Sequence, residues 1–153
     1  LANSSYLTTE KCIHLLTNKS VPATELLNAA SDIMLAIKNM LANKKFRWVL
    51  DYRHQNSLCE SSISGYIDNT IQHRVIDRTF IDKKNHRWII DYKLTHYKKN
   101  KFSQLHDFIN EQANIYKEQL INYSKFFQHE QRTIRIALCF PLLNKLYIYR
   151  KSN

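Results

Sequence analysis

The stretch VIDRTFIDKKNHRWIIDYKL, residues 75–94, constrains this chain more than any other part of it. Two runs rich in β-branched and aromatic residues, Gln72–Ile81 and Arg87–Lys93, flank the polar segment Lys83–His86, which is the pattern of a β-hairpin. Charge falls where a buried strand should have none: Asp77 closes VID, and Asp91 and Lys93 close RWIIDYK. Strand alternation puts Asp91 and Lys93 on one face, their Cβ atoms roughly 6.6 Å apart, and Tyr92 on the other. Antiparallel pairing can bring Asp77 beside Asp91.

The hairpin makes a sheet the frame for the other elements. Upstream, Thr8–Asn18 is a short helix candidate, and a longer one follows Pro22, with Thr24 as N-cap. Its stripe of Leu26, Leu27, Ala30, Ile33, Met34, Ile37 and Leu41 reads as core packing. From Phe46 the pattern turns to strands, at Phe46–Leu50 and Ser57–Tyr66 besides the hairpin. A helix from Asp107 to about Gln128 follows, capped by Ser103 or Asp107. TIRIALCF and KLYIYR are two more strands around the turn PLLN. The expected fold is α/β (α+β): a mixed central sheet with flanking helices. At 153 residues one domain is expected, helical over 1–45 and sheet-based over 46–153. A start at Leu1 and a single glycine, Gly65, suggest a piece of a longer polypeptide.

Two neighbouring carboxylates repel, and such a pair normally persists because a cation lies between them or a proton is shared. A hard divalent cation suits oxygen-only ligands, so Mg²⁺, with Mn²⁺ as a substitute, is the expected cofactor of Asp77 and Asp91. Lys93 could then orient an attacking water or neutralise charge on a phosphate. The plainer reading is a strand-end ion pair between Asp91 and Lys93, with Asp77 paired to Arg78 or Arg74.

GYID, VIDRTF, WIIDYK and YKEQLINY, in that order, resemble the RecB-like nuclease domain at the C-terminus of RecB-type and AddA-type helicase-nucleases, in the PD-(D/E)XK superfamily. The similarity runs from about Cys59 to Arg150. It implies a PD-(D/E)XK core and an Mg²⁺-dependent, exonuclease-like deoxyribonuclease that hydrolyses phosphodiester bonds in double-strand-break repair and recombination. Its partners would be single-stranded DNA ends, helicase domains of the parent chain and a second subunit. The resemblance assigns Asp77 and Asp91 as metal ligands, Lys93 as the catalytic lysine and Glu60, in CESSISG, as a supporting acid. Gln119 and Tyr123 match the family's Q-x-x-x-Y motif, with Tyr116 one turn earlier, and are expected to touch DNA or to support the catalytic strand. The family's N-terminal histidine ligand has no counterpart in the context of His14, and is expected before residue 1. The alternative is a non-catalytic DNA-binding or scaffolding module that keeps the fold.

Net charge supports a polyanionic partner independently: +10 overall. Between Arg74 and Lys101 nine Lys or Arg face three Asp, placing +6 of it in 28 residues. Arg74, Lys98, Lys99 and Lys101 could follow a phosphate backbone, with Tyr92, Tyr97 and Phe102 as stacking surfaces. No apolar run spans a bilayer and LANSSYLTTEK lacks the form of a signal peptide, so no membrane partner is expected. Three scattered cysteines suit a reducing cytoplasm. Cys59 is expected to be a small buried hydrophobe, the remaining histidines surface or hydrogen-bonded residues, and Trp48 and Trp88 core residues of strands.

Overall fold

The computed structural model describes residues 7–150; LANSSY, read above for a leader, lies outside them. Helices α1 (Thr9–Asn18), α2 (Leu26–Ala42) and α3 (Lys44–Leu50) precede strands β1 (Gln55–Ile67), β2 (Thr70–Ile81) and β3 (Arg87–Tyr92). Helix α4 (Leu105–Lys125), a short 3-10 turn (Gln128–Glu130), and strands β4 (Ile134–Phe140) and β5 (Lys145–Ile148) complete the chain. The result is an α+β fold around one five-stranded mixed sheet in the order β1-β2-β3-β4-β5. Strands β3 and β4 are parallel and the other neighbours antiparallel. Helix α4 is the crossover that a parallel pair requires. No helix among the described residues is long and apolar enough to cross a membrane.

Alternation along the central strands builds a core on each face. Ile89, Leu138 and Phe140 pack against Phe108, Ile109, Ala113 and Leu120 of α4. Trp88, Ile90, Ala137 and Cys139 pack against Phe46 and Val49 of α3. Strand β3 is therefore buried on both sides, which accounts for its unbroken apolar run.

The strand expected at Phe46–Leu50 is helix α3. Its fully buried residues, Phe46 and Val49, are three apart, a helical rather than a strand interval. Asn43 caps its start by accepting from Lys45 N at 2.9 Å. Arg78 receives its end, donating to Val49 O at 3.0 Å and to Asp51 O at 3.1 Å. Trp48 belongs to this helix and not to a strand. Two capping expectations also fail: α2 starts after Glu25 and α4 after Gln104, neither with a side-chain cap. Nor is the α2 stripe wholly core, for Leu27 is 71% and Leu41 53% exposed.

The β1–β2 connection is a two-residue turn at Asp68 and Asn69, with φ of 49° and 63°. Positive φ at both central residues matches the right-handed twist of a hairpin. Gly65, near this turn, has room for no more than hydrogen: a Cβ there would lie 3.0 Å from the Phe126 ring at the end of α4. Its role is close approach, not unusual dihedral freedom.

Candidate metal and nucleic-acid site

Strands β2 and β3 pair from Ile81↔Arg87 to Arg78↔Ile90 and then part, while β2 stays paired with β1 back to Thr70. The parting falls where both outer strands turn over. Ile76 packs on the α4 side and Phe80 on the α3 side, although an even spacing should keep them on one face. In β1, likewise, Ile63 packs on the α4 side, whereas Cys59 Sγ accepts a hydrogen bond from Arg78 at 3.3 Å. Glu60, with φ of 46°, lies between the register pairs Cys59↔Arg78 and Ser61↔Ile76, opposite Asp77.

At this point the Asp77 side chain replaces backbone. Its Oδ2 accepts the Tyr92 N–H at 2.8 Å, stitching the diverging strands together. Neither Arg78 nor Arg74 pairs with it: Arg78 serves the α3 carbonyls, and Arg74 binds His73 O and Gln72. Asp91, one residue beyond the last β2–β3 pair, faces α4 with its side chain only 7% exposed. Gln119 Nε2 donates to Asp91 Oδ1 at 3.1 Å. Lys93 Nζ lies 2.8 Å from Oδ2. The buried carboxylate is therefore held on both oxygens, by the Lys93 ammonium on Oδ2 and by Gln119 on Oδ1.

Burial raises the Asp91 carboxyl above its ordinary range, and the Asp77 charge pushes the same way. Lys93 and Gln119 oppose this without cancelling it. Lys93 Nζ also sits 3.9 Å above the Tyr116 ring, a cation–π contact that fixes the ammonium from below. Gln119 Nε2 further donates to Tyr123 Oη at 2.9 Å. Helix periodicity supplies the arrangement: residues 116, 119 and 123 share one face of α4. All three support the Asp91–Lys93 strand end, the second of the two roles expected of this motif.

The other expected residues are dispersed. The Glu60 carboxylate is exposed and has no ion pair among the described residues. Lys98 and Lys99 are exposed, and Lys101 is paired with Glu111 at 3.0 Å. Arg74 is exposed on the outer part of β2. The +6 segment is less concentrated than its sequence suggests. Arg78 is buried against backbone, Arg87 is paired with Glu130, and Lys83 and Lys84 lie at the far end of β3. Tyr97 and Phe102 pack against Phe108, and Tyr92 joins the α3-side core, so none is a free stacking surface.

Cys59 is exposed, contrary to expectation. The histidines at 54, 73, 86, 96 and 106 are hydrogen-bonded to Trp48 O, Ser64, Asp82, Asp32 and Asn110. One of these contacts was invisible in the sequence: His96 Nε2 lies 2.8 Å from Asp32 Oδ2, 64 residues away, tying the segment after β3 to α2.

A divalent cation fits this donor set as Mg²⁺ is usually held, by one or two carboxylates with waters and phosphate completing the shell. Asp91 Oδ2 meets only the Lys93 ammonium, and Asp77 uses only one of its oxygens. No cluster of three His, Cys, Asp or Glu able to hold a metal occurs among the described residues. No protein-family model matches the chain, and no curated protein matches it.

Proposed function

We propose that the chain is a metal-dependent DNA nuclease domain of the RecB-like type in the PD-(D/E)XK superfamily, working within a helicase-nuclease on DNA ends. The observation that carries this reading is the Asp91 strand end: a buried carboxylate held by a fixed lysine, with a second acid close enough to raise it. A structural ion pair needs none of the extra acid. Asp77 and Asp91 would hold Mg²⁺, which supplies a polarised water and charge stabilisation at phosphate.

The chain's own residues do the rest. Gln119 fixes the direction of the Asp91 carboxylate, and Tyr123 fixes Gln119. Lys93, held between Asp91 and the Tyr116 face, keeps its ammonium at the mouth of the site. There it can orient a water and balance the negative charge that builds on a phosphate under attack. Glu60 lies opposite Asp77 in the β1–β2 register with its carboxylate exposed, where it could hydrogen-bond water.

A non-catalytic DNA-binding or scaffolding module is the second reading, favoured by the lack of a third ligand among the described residues. Calorimetric titration with Mg²⁺ and Mn²⁺, alongside cleavage assays in the complete parent protein, separates the two. Asp91→Ala should abolish metal binding and cleavage together. Lys93→Ala should reduce cleavage by at least ~100-fold with metal binding retained, the scale expected when one positioned charge is lost. Undiminished cleavage by Lys93→Ala would put the chemistry elsewhere; DNA binding without metal uptake would favour the second reading.

A further inference from the structure

A groove of about 930 Å³ lies at the other end of β3 from Asp91, on the α3 side of the sheet. Its wall is aromatic and fixed. Trp48 stands edge-on to His54, Phe80 and Trp88, with ring centroids 5.3, 5.2 and 5.1 Å away. His54 stacks on Phe80 at 4.2 Å and bonds Trp48 O through Nε2. Trp88 Nε1 donates to Asp82 Oδ2 at 2.8 Å.

The charges around the wall are unequal. Its acids are already matched, Asp51 by Arg53 at 2.8 Å and Asp82 by Trp88 and His86. Its remaining cations are not. Lys83 and Lys84 at the hairpin turn, and Arg135 opposite Trp88 in the β3–β4 register, make no side-chain hydrogen bond or ion pair among the described residues. Arg135 is half-buried, so its charge is held in the groove and not dispersed in solvent.

We propose that this groove binds a single strand of nucleic acid, its bases against the half-buried Trp48 and His54 and its phosphates on Lys83, Lys84 and Arg135. Unpaired cations beside fixed π surfaces match a chain that alternates anionic and aromatic groups. An acidic peptide would satisfy the charge and leave the rings unused. A small anion would leave most of the volume empty. The proposal does not rest on the nuclease reading, since it shares no residue with the Asp91 end.

The chain's two tryptophans both line the groove, so fluorescence excited selectively at tryptophan, beyond the absorption of the tyrosines, reports on it. The full chain is titrated with an oligothymidylate of about 12 nucleotides, a length within single-strand site sizes, in chelator to prevent cleavage. Quenching is expected. Lys83→Glu with Lys84→Glu should weaken it about tenfold or more and flatten log K against log salt by about 1.4, two phosphate contacts at roughly 0.7 each. Arg135→Gln should weaken it too, whereas Lys19→Glu with Lys117→Glu, exposed residues outside the groove, should leave it in place. Thermal melting checks that each variant is folded, and Arg135→Gln carries the test if the double variant is not. Undiminished quenching in the folded groove variants, or equal quenching by poly-glutamate, would overturn the proposal.

Discussion

The surroundings of Asp91 oppose its ionisation. Its folded value is raised, by burial first and by Asp77 as well. The stability it contributes is therefore present below the unfolded value of about 3.9, and lost as pH rises through the folded value. Asp91→Asn, which cannot ionise but can still accept from Gln119, should melt higher than wild type at pH 7 in chelator, with the gain fading toward acid pH. A lower melting point at pH 7 would mean that attraction to Lys93 outweighs burial and Asp77. Much of this was legible in WIIDYK: the alternation that puts Tyr92 on one face and Asp91 and Lys93 on the other is the arrangement found. The Asp77 side chain bonding to the Tyr92 N–H was not legible, because it depends on where two strands stop pairing.

At the scale of elements, local chemistry was readable where the residue dictates the backbone, and misread where tertiary partners decide. The β2–β3 turn falls where KKNH suggested. Asp82 closes it, accepting from Lys84 N at 2.8 Å, His86 N at 2.9 Å and Trp88 Nε1 at 2.8 Å. Burial alone would push this carboxyl up, but those donors and the His86 ring outweigh it and hold it below its ordinary range. Its stabilisation is accordingly present above about pH 3.9 and lost as pH falls through the folded value. Asp82→Ala should cost about 1.5–3 kcal/mol near neutrality, the range for hydrogen bonds to a charged group, and the deficit seen in denaturant melts should shrink in acid. Helix α3 was misread because Phe46, Trp48 and Leu50 alternate like a strand, whereas Asn43 and the distant Arg78 fix both helix ends. The β1–β2 arm depends on contact rather than turn chemistry. Gly65→Val should destabilise by about 1–3 kcal/mol, as overpacking does, and the loss should diminish in a Phe126→Ala background. Equal losses in both backgrounds would show that the close approach is not the cause.

In the whole molecule the sheet separates two ends, one acidic at Asp77 and Asp91, the other basic and aromatic at the Lys83–His86 turn. Summed charge could not reveal this division, because the +6 segment runs through both ends and through the core between them. The parallel pairing of Arg87–Tyr92 with Ile134–Cys139 also orders events in time. The β2–β3 hairpin joins residues close in sequence and can form early, but β3 meets β4 only after the α4 crossover has been laid down, with its larger loop-closure entropy. Asp91 therefore stays hydrated through early folding, and its desolvation is deferred to the step that docks α4 and admits β4. The groove at the other end also waits for β4, which brings Arg135 opposite Trp88.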